Sequence, residues 1–469
     1  MTCCDLKCGL TAGTVLGALI ALLGGILIPV GNMFIENTVR TETVLENGTL
    51  AFDTWTSVDT AIYRQFWLFN VQNPDEVLSQ GAKPVVVQKG PYTYRTRYIP
   101  KRNITFNDNY TVSFVLPAGA IFEPGMSVGT EEDVFTSINL AVAGVYSLLD
   151  HGLANLLIQR SNSTLFQNRT VRELLWGYKD PMLSSTLGVF YPYNDTIDGP
   201  YTVFTGKDDI KKVATIERWQ GEPSLSYWND PYCNKINGTD GSSFRPFLDK
   251  KEPLYFFSSD ICRAISAVYE ETVDLKGIDV YRYMLPPEAL ASPAVNPDNQ
   301  CYCTDPVITR NCTTAGLLDL TPCRGTPVFL SLPHFLYGSN DLHQGVIGLN
   351  PNFDEHSIFL DVEPITGFTL RFAKRLQVNM LYGPSESIVI LNKIKDYTVF
   401  PILWVNETAV LDDETADMFK KELISRMELL EGVQIGLIVA GLVLFASCLI
   451  GLIVACTKPS NNKLSLIVK

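Results

Sequence analysis

GLTAGTVLGALIALLGGILIPV (residues 9–30) and GVQIGLIVAGLVLFASCLIGLIVACT (residues 432–457) lie near the two ends of this 469-residue chain, and neither contains a charged side chain. Each exceeds the ~20 apolar residues that a helix needs to cross a ~30 Å hydrocarbon core. Two crossings bring both ends to one side of a membrane and leave residues 31–431 as a single large loop on the other. The flanking tails, residues 1–8 and 458–469, are short.

Charge and glycan acceptors set the orientation. The tails hold Asp5, Lys7, Lys458, Lys463 and Lys469, a net of +3, and short basic flanks are retained in the cytoplasm. The whole chain carries −13, so the loop carries −16 once that +3 is set aside. Nine Asn-x-Ser/Thr acceptors occur at Asn47, Asn103, Asn109, Asn162, Asn168, Asn194, Asn237, Asn311 and Asn406, all within the loop. Glycan transfer is lumenal, so the loop is read as the extracellular domain and both termini as cytoplasmic. An acidic domain outside the cell excludes nucleic acid as a partner. The first apolar stretch is read as an uncleaved signal anchor, because it outruns the ~7–15 residues of a signal-peptide core and no small-x-small cleavage site precedes Asn32.

Six of the eleven cysteines, Cys233, Cys262, Cys301, Cys303, Cys312 and Cys323, fall between residues 233 and 323 of the loop. In an oxidising compartment an even set reads as three disulfides. A zinc site is disfavoured by the absence of a Cys-x-x-Cys pair and by only four His in the chain. Cys301 and Cys303, on an extended strand, would point to opposite faces and take different partners; the remaining connectivities stay open. Cys3, Cys4 and Cys8 before the first span and Cys456 at the end of the second are read as S-palmitoylation sites, and Cys448, deeper in the second span, as packing. Gly9, Gly13, Gly17, Ala21 and Gly25 recur every four residues and predict a close-packed face on the first span. Gly432, Gly436 and Ala440 offer the same spacing on the second, the nearest partner, and self-association through the spans is a further possibility.

The loop shows no internal repeat and no Pro/Gly/Ser-rich linker. Alternating runs rich in Val, Tyr and Phe dominate: VVVQKGPYTYRTRYI from Val85, TVSFVL from Thr111, VYRYML from Val280, SIFLDV from Ser357 and SIVIL from Ser387. They predict mostly β structure with meandering connections. Residues 137–178 differ. From Ser137 to Trp176 there is no Pro, and apolar residues recur at helical spacing in LAVAGVYSLLDHGLANLLI and VRELLW, which predicts a helical insert on the β scaffold.

Six longer segments carry a resemblance: QKGPYTYR from Gln88, VRELLWGYKDP from Val171, FFSSDICRAI from Phe256, NPDNQCYC from Asn296, PVFLSLPHFLYG from Pro327 and DVEPITGFTLRFAKRLQVN from Asp361. Over essentially its whole length the chain resembles the class B scavenger receptors, and within them the fatty-acid-translocase branch. That resemblance implies a two-span membrane hairpin with a large extracellular α+β ectodomain. It implies an antiparallel β-barrel-like core, an apical helical bundle and an internal lipid tunnel. It further implies disulfides joining Cys233 to Cys301, Cys262 to Cys323 and Cys303 to Cys312. The implied function is a plasma-membrane receptor that takes up long-chain fatty acids and oxidised phospholipid or lipoprotein lipids, binds thrombospondin-type proteins, contacts membrane lipids, and needs no cofactor, no metal and no catalytic residue.

The implied contact residues are few. IQRSNSTLFQ from Ile158 matches a segment in which the branch carries two basic residues; here the first is Arg160 and the second is the neutral Asn162. Arg160 would meet a lipid carboxylate or anionic headgroup. Glu123, Glu131, Glu132 and Asp133, in EPGMSVGTEEDVF, fall where the branch meets basic adhesion modules, which clustered carboxylates attract at long range. The alternative within the family is the high-density-lipoprotein receptor that moves cholesteryl esters. The lysosomal member is disfavoured, because no acidic residue precedes Leu466 and Ile467 in the C-terminal tail. A hydrolase is the one reading from another class: Gly125-Met126-Ser127-Val128-Gly129 fits Gly-x-Ser-x-Gly, but a nucleophile elbow needs a strand before it and a helix after it, and Pro124 stands where that strand would pair.

Overall fold

The structure, a computed structural model, describes residues 2–56, 61–97, 101–305, 308, 310 and 312–457. The C-terminal tail and Asn311 lie outside the described residues, as do the side chains of Cys3 and Cys4. The chain divides into two units. One comprises Met1–Thr41, Lys276–Ile278 and Asp413–Lys469, and the other Glu42–Leu275 and Asp279–Asp412.

In the first unit the apolar stretches lie within helices longer than the spans themselves, Thr2–Glu42 and Ser425–Thr457. At 1.5 Å per residue the first is about 60 Å long, twice the hydrocarbon thickness, so the helix continues into water where Glu36 and Arg40 pair across one turn at 2.8 Å. The glycine stripe makes contact over only part of its length. A Cβ at Gly17 would stand 2.5 Å from Phe445 N and 2.8 Å from Gly441 O, and one at Gly13 would stand 2.5 Å from Cys448 Sγ. Gly9 and Gly25 meet nothing within 4 Å, nor do Gly432 and Gly436. The reason is helical pitch: each four-residue step turns about 40° past a full circle, so the four steps from Gly9 to Gly25 wind the stripe off a straight partner. The facing positions are Gly13, Gly17, Ala21, Gly24 and Gly31 on the first helix, against Cys448, Phe445, Gly441, Ile438 and Gln434. Gln434 is buried and its amide donates to the Leu27 carbonyl at 2.8 Å, the partner that a polar side chain needs in a span.

The second unit is organised by an eleven-stranded antiparallel sheet. Its main path runs Leu254–Ser258, Arg263–Leu275, Ile278–Met284, Phe359–Val362, Thr369–Tyr382, Thr398–Val410, Tyr63–Val71, Val86–Thr96 and Ala120–Phe122. Period-two alternation gives these strands one packed face: Phe66, Leu68, Tyr92, Tyr94 and Leu403 are 0–2 % exposed. A second, four-stranded sheet carries Thr111–Pro117 next to Ile197–Phe204. Four of the five apolar runs form strands. SIVIL does not: Val389–Leu391 is a 3-10 turn, with Ile388 and Leu391 buried while Val389 projects outward. Its backbone is held by side chains instead of a neighbouring strand, Ser385 Oγ accepting from Ile388 N and Asn155 Oδ1 from Val389 N.

The helical insert is also less uniform than its apolar spacing suggests. Helices Leu140–Leu148, His151–Ser161 and Val171–Trp176 are interrupted by the strand Phe166–Thr170, which pairs with Val134–Ile138. Each helix starts on a side-chain cap: Asn139, Asp150 and Thr170 accept backbone N–H bonds, and Thr170 with Glu173 closes a reciprocal capping box. Cys301 lies in a 3-10 turn, Pro297–Tyr302, not on the expected extended strand, because Pro297 follows Asn296, whose side chain caps Asp298 N. The bonds are Cys233–Cys301, Cys262–Cys323 and Cys303–Cys312, closing separations of 68, 61 and 9 residues.

Candidate functional site

Helix His151–Ser161 presents an apolar and cationic side chain set to solvent. Its Ala154 and Ile158 are buried, while Leu153 and Leu156 are 48 % and 60 % exposed. Arg160 follows at helical spacing, so Leu153, Leu156 and Arg160 share one outward face about 60° wide. Two large apolar side chains and a cation on a solvent face make an amphiphilic strip. The helix is anchored from behind: His151 stacks on Tyr146 with ring centroids 4.9 Å apart, and its Nδ1 lies 3.0 Å from Ser385 Oγ. Among the described residues Arg160 has no ion-pair partner, and its place in the last turn is where a cation suits the helix dipole. Asn162 ends the helix in the left-handed conformation, φ 51°, and is exposed, which leaves its acceptor sequence beside Arg160 open to a glycan.

The charge of the acidic segment is largely neutralised within the fold. Asp133 accepts from Lys89 at 2.5 Å and from Tyr92 at 2.7 Å. The Lys89 hydrogen bond, ahead of Tyr92, holds its carboxyl down to about 2. Glu131 accepts from Tyr94 at 2.9 Å and pairs with Arg172 at 3.1 Å, as does Glu132, and Glu123 pairs with Arg95 at 2.9 Å. Four carboxylates thus face three basic side chains, so the net field that would steer a basic partner is small. Sequence reading missed these cations because Lys89, Arg95 and Arg172 come from other elements.

Ser127 has a structural task. Pro124–Met126 is a 3-10 turn and Ser127 is extended. Its hydroxyl donates to Glu123 O at 2.8 Å and accepts from Thr93 N at 2.9 Å, fastening the turn to the Val86–Thr96 strand. The 3-10 turn separates Ser127 from the strand Ala120–Phe122, and no helix follows it before Val134, so Gly125–Gly129 is not a nucleophile elbow.

Of the glycan acceptors, Asn47, Asn103, Asn109, Asn162, Asn168, Asn194 and Asn237 are exposed. Asn406 is half-buried on the Thr398–Val410 strand and its amide donates to Gln65 Oε1 at 3.0 Å. Cys8 and Cys456 are free and exposed, as acylation would require, and Cys448 is half-buried between the spans.

Comparison with known proteins bears on all of this. The sequence pattern of the CD36 family matches residues 15–452. Lysosome membrane protein 2 of Rattus norvegicus is 36 % identical over 433 residues, 88 % of each chain. Scavenger receptor class B member 1 of Cricetulus griseus is 34 % identical over 440 residues, 90 % of this chain and 84 % of that one, and the Bos taurus protein of the same name is 32 % identical over 449 residues, 92 % and 86 %. The match spans both apolar helices and the sheet-rich unit between them, and it makes this two-span membrane protein a member of the CD36 family, among the class B scavenger receptors.

Proposed function

We propose that this chain is a plasma-membrane receptor, both termini cytoplasmic, that binds long-chain fatty acids and the lipids of oxidised or lipoprotein particles and passes them along an interior apolar path toward the bilayer. The observation that carries the reading is the exposed Leu153–Leu156–Arg160 strip: an apolar surface beside an unpaired cation suits an anionic amphiphile, whose tail and head it engages separately. A receptor of this kind needs a polar entrance and an apolar interior, not a nucleophile. Selective cholesteryl-ester uptake is the second reading, favoured by relatives named scavenger receptor class B member 1. Thrombospondin-type modules binding at Glu123, Glu131, Glu132 and Asp133 would have to displace Lys89, Arg95 and Arg172, so that contact would be strongly salt-sensitive.

Uptake of labelled oleate and of cholesteryl oleate, the latter carried in lipoprotein, by cells expressing the chain tests the proposal. Arg160→Ala and Leu156→Asp should each slow oleate uptake at unchanged surface abundance. Uptake of neither lipid by the unaltered protein would refute the lipid-receptor reading. Uptake of cholesteryl oleate alone would select the second reading.

A further inference from the structure

The enclosed cations of the sheet-rich unit are mostly answered by carboxylates. Arg64 pairs with Glu407, Lys101 with Asp240, Arg282 and Arg371 with Asp361, and Lys374 with Asp260. Arg263 is different. It opens the strand Arg263–Leu275, is 7 % exposed, and has no ion-pair partner among the described residues. Its guanidinium carbon stands 3.8 Å from the centre of the Tyr302 ring, and Nη2 donates to Asn299 Oδ1 at 3.2 Å. The Asn299 amide is itself fixed, its Nδ2 donating to the carbonyls of Ala291 at 2.8 Å and Glu288 at 3.1 Å. Arg263 Nε is buried with no hydrogen-bond partner among the described residues. The carboxylates next in sequence to its neighbours are engaged elsewhere: Asp298 accepts from Tyr232 Oη at 3.0 Å, and Asp319 from Thr304 Oγ1 at 2.8 Å and Thr321 N at 2.9 Å.

Burial pushes the Arg263 guanidinium below its usual range, and no carboxylate opposes it. A guanidinium keeps its proton even so, and a buried charge without a counter-charge is costly. The surroundings hold the arginine where it is. Disulfides begin at Cys262 before it and at Cys301 and Cys303 on either side of Tyr302, and Trp228 packs edge-on against Tyr302 while its Nε1 donates to the Cys262 carbonyl at 2.8 Å. Arg263, Asn299 and Tyr302 line a recess whose other walls are hydrocarbon, among them Leu290, Ala291 and Leu317. Its volume of about 10 Å³ admits one particle of roughly the size of a water molecule. Carboxylate, phosphate and sulfate are too large. Water would satisfy a hydrogen bond there but leave the charge unanswered.

We propose that the recess beside Arg263 is a site for a single halide ion, chloride above all, held by the guanidinium between Tyr302 and Asn299 inside the disulfide cluster. The ion supplies the counter-charge that the protein does not, and fastens the start of the strand Arg263–Leu275 to the turn Pro297–Tyr302. The site is independent of the lipid-receptor reading.

Thermal unfolding of the full-length protein in detergent, with sodium chloride replacing sodium gluconate at constant ionic strength, tests the site; gluconate does not fit the recess. The midpoint should rise with chloride and saturate, by about 2 °C in all. Arg263→Gln removes the cation, and Ala291→Leu fills the recess while keeping the cation; each should abolish the chloride dependence. Crystals of the unaltered protein soaked in bromide should show an anomalous peak within hydrogen-bonding reach of the Arg263 guanidinium, and this decides the matter if both variants fail to fold. A midpoint indifferent to chloride in the unaltered protein overturns the site. So does a chloride dependence that survives in either folded variant, or a bromide map with no anomalous peak at Arg263.

Discussion

His334 and His356 should make the stability of the sheet-rich unit fall between pH 7.5 and pH 5.5, and His356→Asn should remove about half of that fall. The two imidazoles are buried, 5 % and 2 % exposed, and stack with centroids 4.5 Å apart. Each accepts a backbone bond at Nδ1, His334 from Asn350 N at 3.0 Å and His356 from Asn352 N at 2.9 Å. His334 Nε2 donates to Gln88 Oε1 at 2.6 Å, which also accepts from Trp404 Nε1 at 2.6 Å. Neither ring can take a second proton without losing a bond. Burial, and secondarily His356, pushes His334 down to about 4; burial, and secondarily Arg375, pushes His356 down to about 4. A folded pKa below the unfolded value of about 6.5 means that the unfolded chain binds protons first, so stability is full above pH 6.5 and declines as pH falls toward 4. At pH 5.5 the linkage costs about 1.4 kcal/mol for each ring, or about 3 kcal/mol for the pair. Depressed carboxylates such as Asp260 and Asp133 contribute only at lower pH, near the unfolded values of about 4. In His356→Asn the amide oxygen replaces Nδ1 as acceptor but does not titrate. Urea unfolding of the full-length protein in detergent, followed by the fluorescence of the Trp67–Trp404 stack, measures the pH slope. An unaltered slope in His356→Asn would refute the reasoning, whatever the variant's stability at neutral pH.

Gly13→Cys should form an oxidant-induced bond with Cys448, since the new Cβ would stand 3.4 Å from that of Cys448, close to disulfide range; a span pair arranged differently would stay reduced, and Gly25→Cys serves as the control. Ser127→Ala should cost about 1–2 kcal/mol through its two lost backbone bonds, measured by the same urea titration, and should leave oleate uptake unchanged; an abolished esterase activity would restore the hydrolase reading. Glycopeptide mass spectrometry should find Asn406 less occupied than Asn47, because a glycan at Asn406 displaces its bond to Gln65 and crowds a central strand; equal occupancy would contradict this.

The two-span plan was legible because length, lack of charge and acceptor distribution are linear properties: residues 9–30 and 432–457 declare membrane helices whatever their neighbours do. Alternation likewise announced the strands at Val86, Thr111, Ile278 and Phe359. It failed at Ser387, where five apolar residues suit a buried turn as well as a strand and only the side chains of Asn155 and Ser385 decide between them. The glycine stripe was legible as small residues, yet which glycines touch the second helix depends on accumulated rotation, which spacing by four disguises.

Charge was the least legible property. Glu123, Glu131, Glu132 and Asp133 look like a free acidic surface in one dimension, and lose that character because distant segments supply Lys89, Arg95 and Arg172. Arg64, Asp260, Lys374 and Glu407 are scattered over 344 positions and mean nothing until strand register sets Arg64, Glu407 and Lys374 on one rung. Sequence by itself determined that this chain carries two membrane-spanning stretches around an acidic, disulfide-bonded, β-rich domain, and that it belongs with the class B scavenger receptors. Only the tertiary structure decided which charges are spent on each other and which, like Arg160, stay without an ion-pair partner among the described residues, because Coulomb energy depends on distance and surroundings that chain order does not encode.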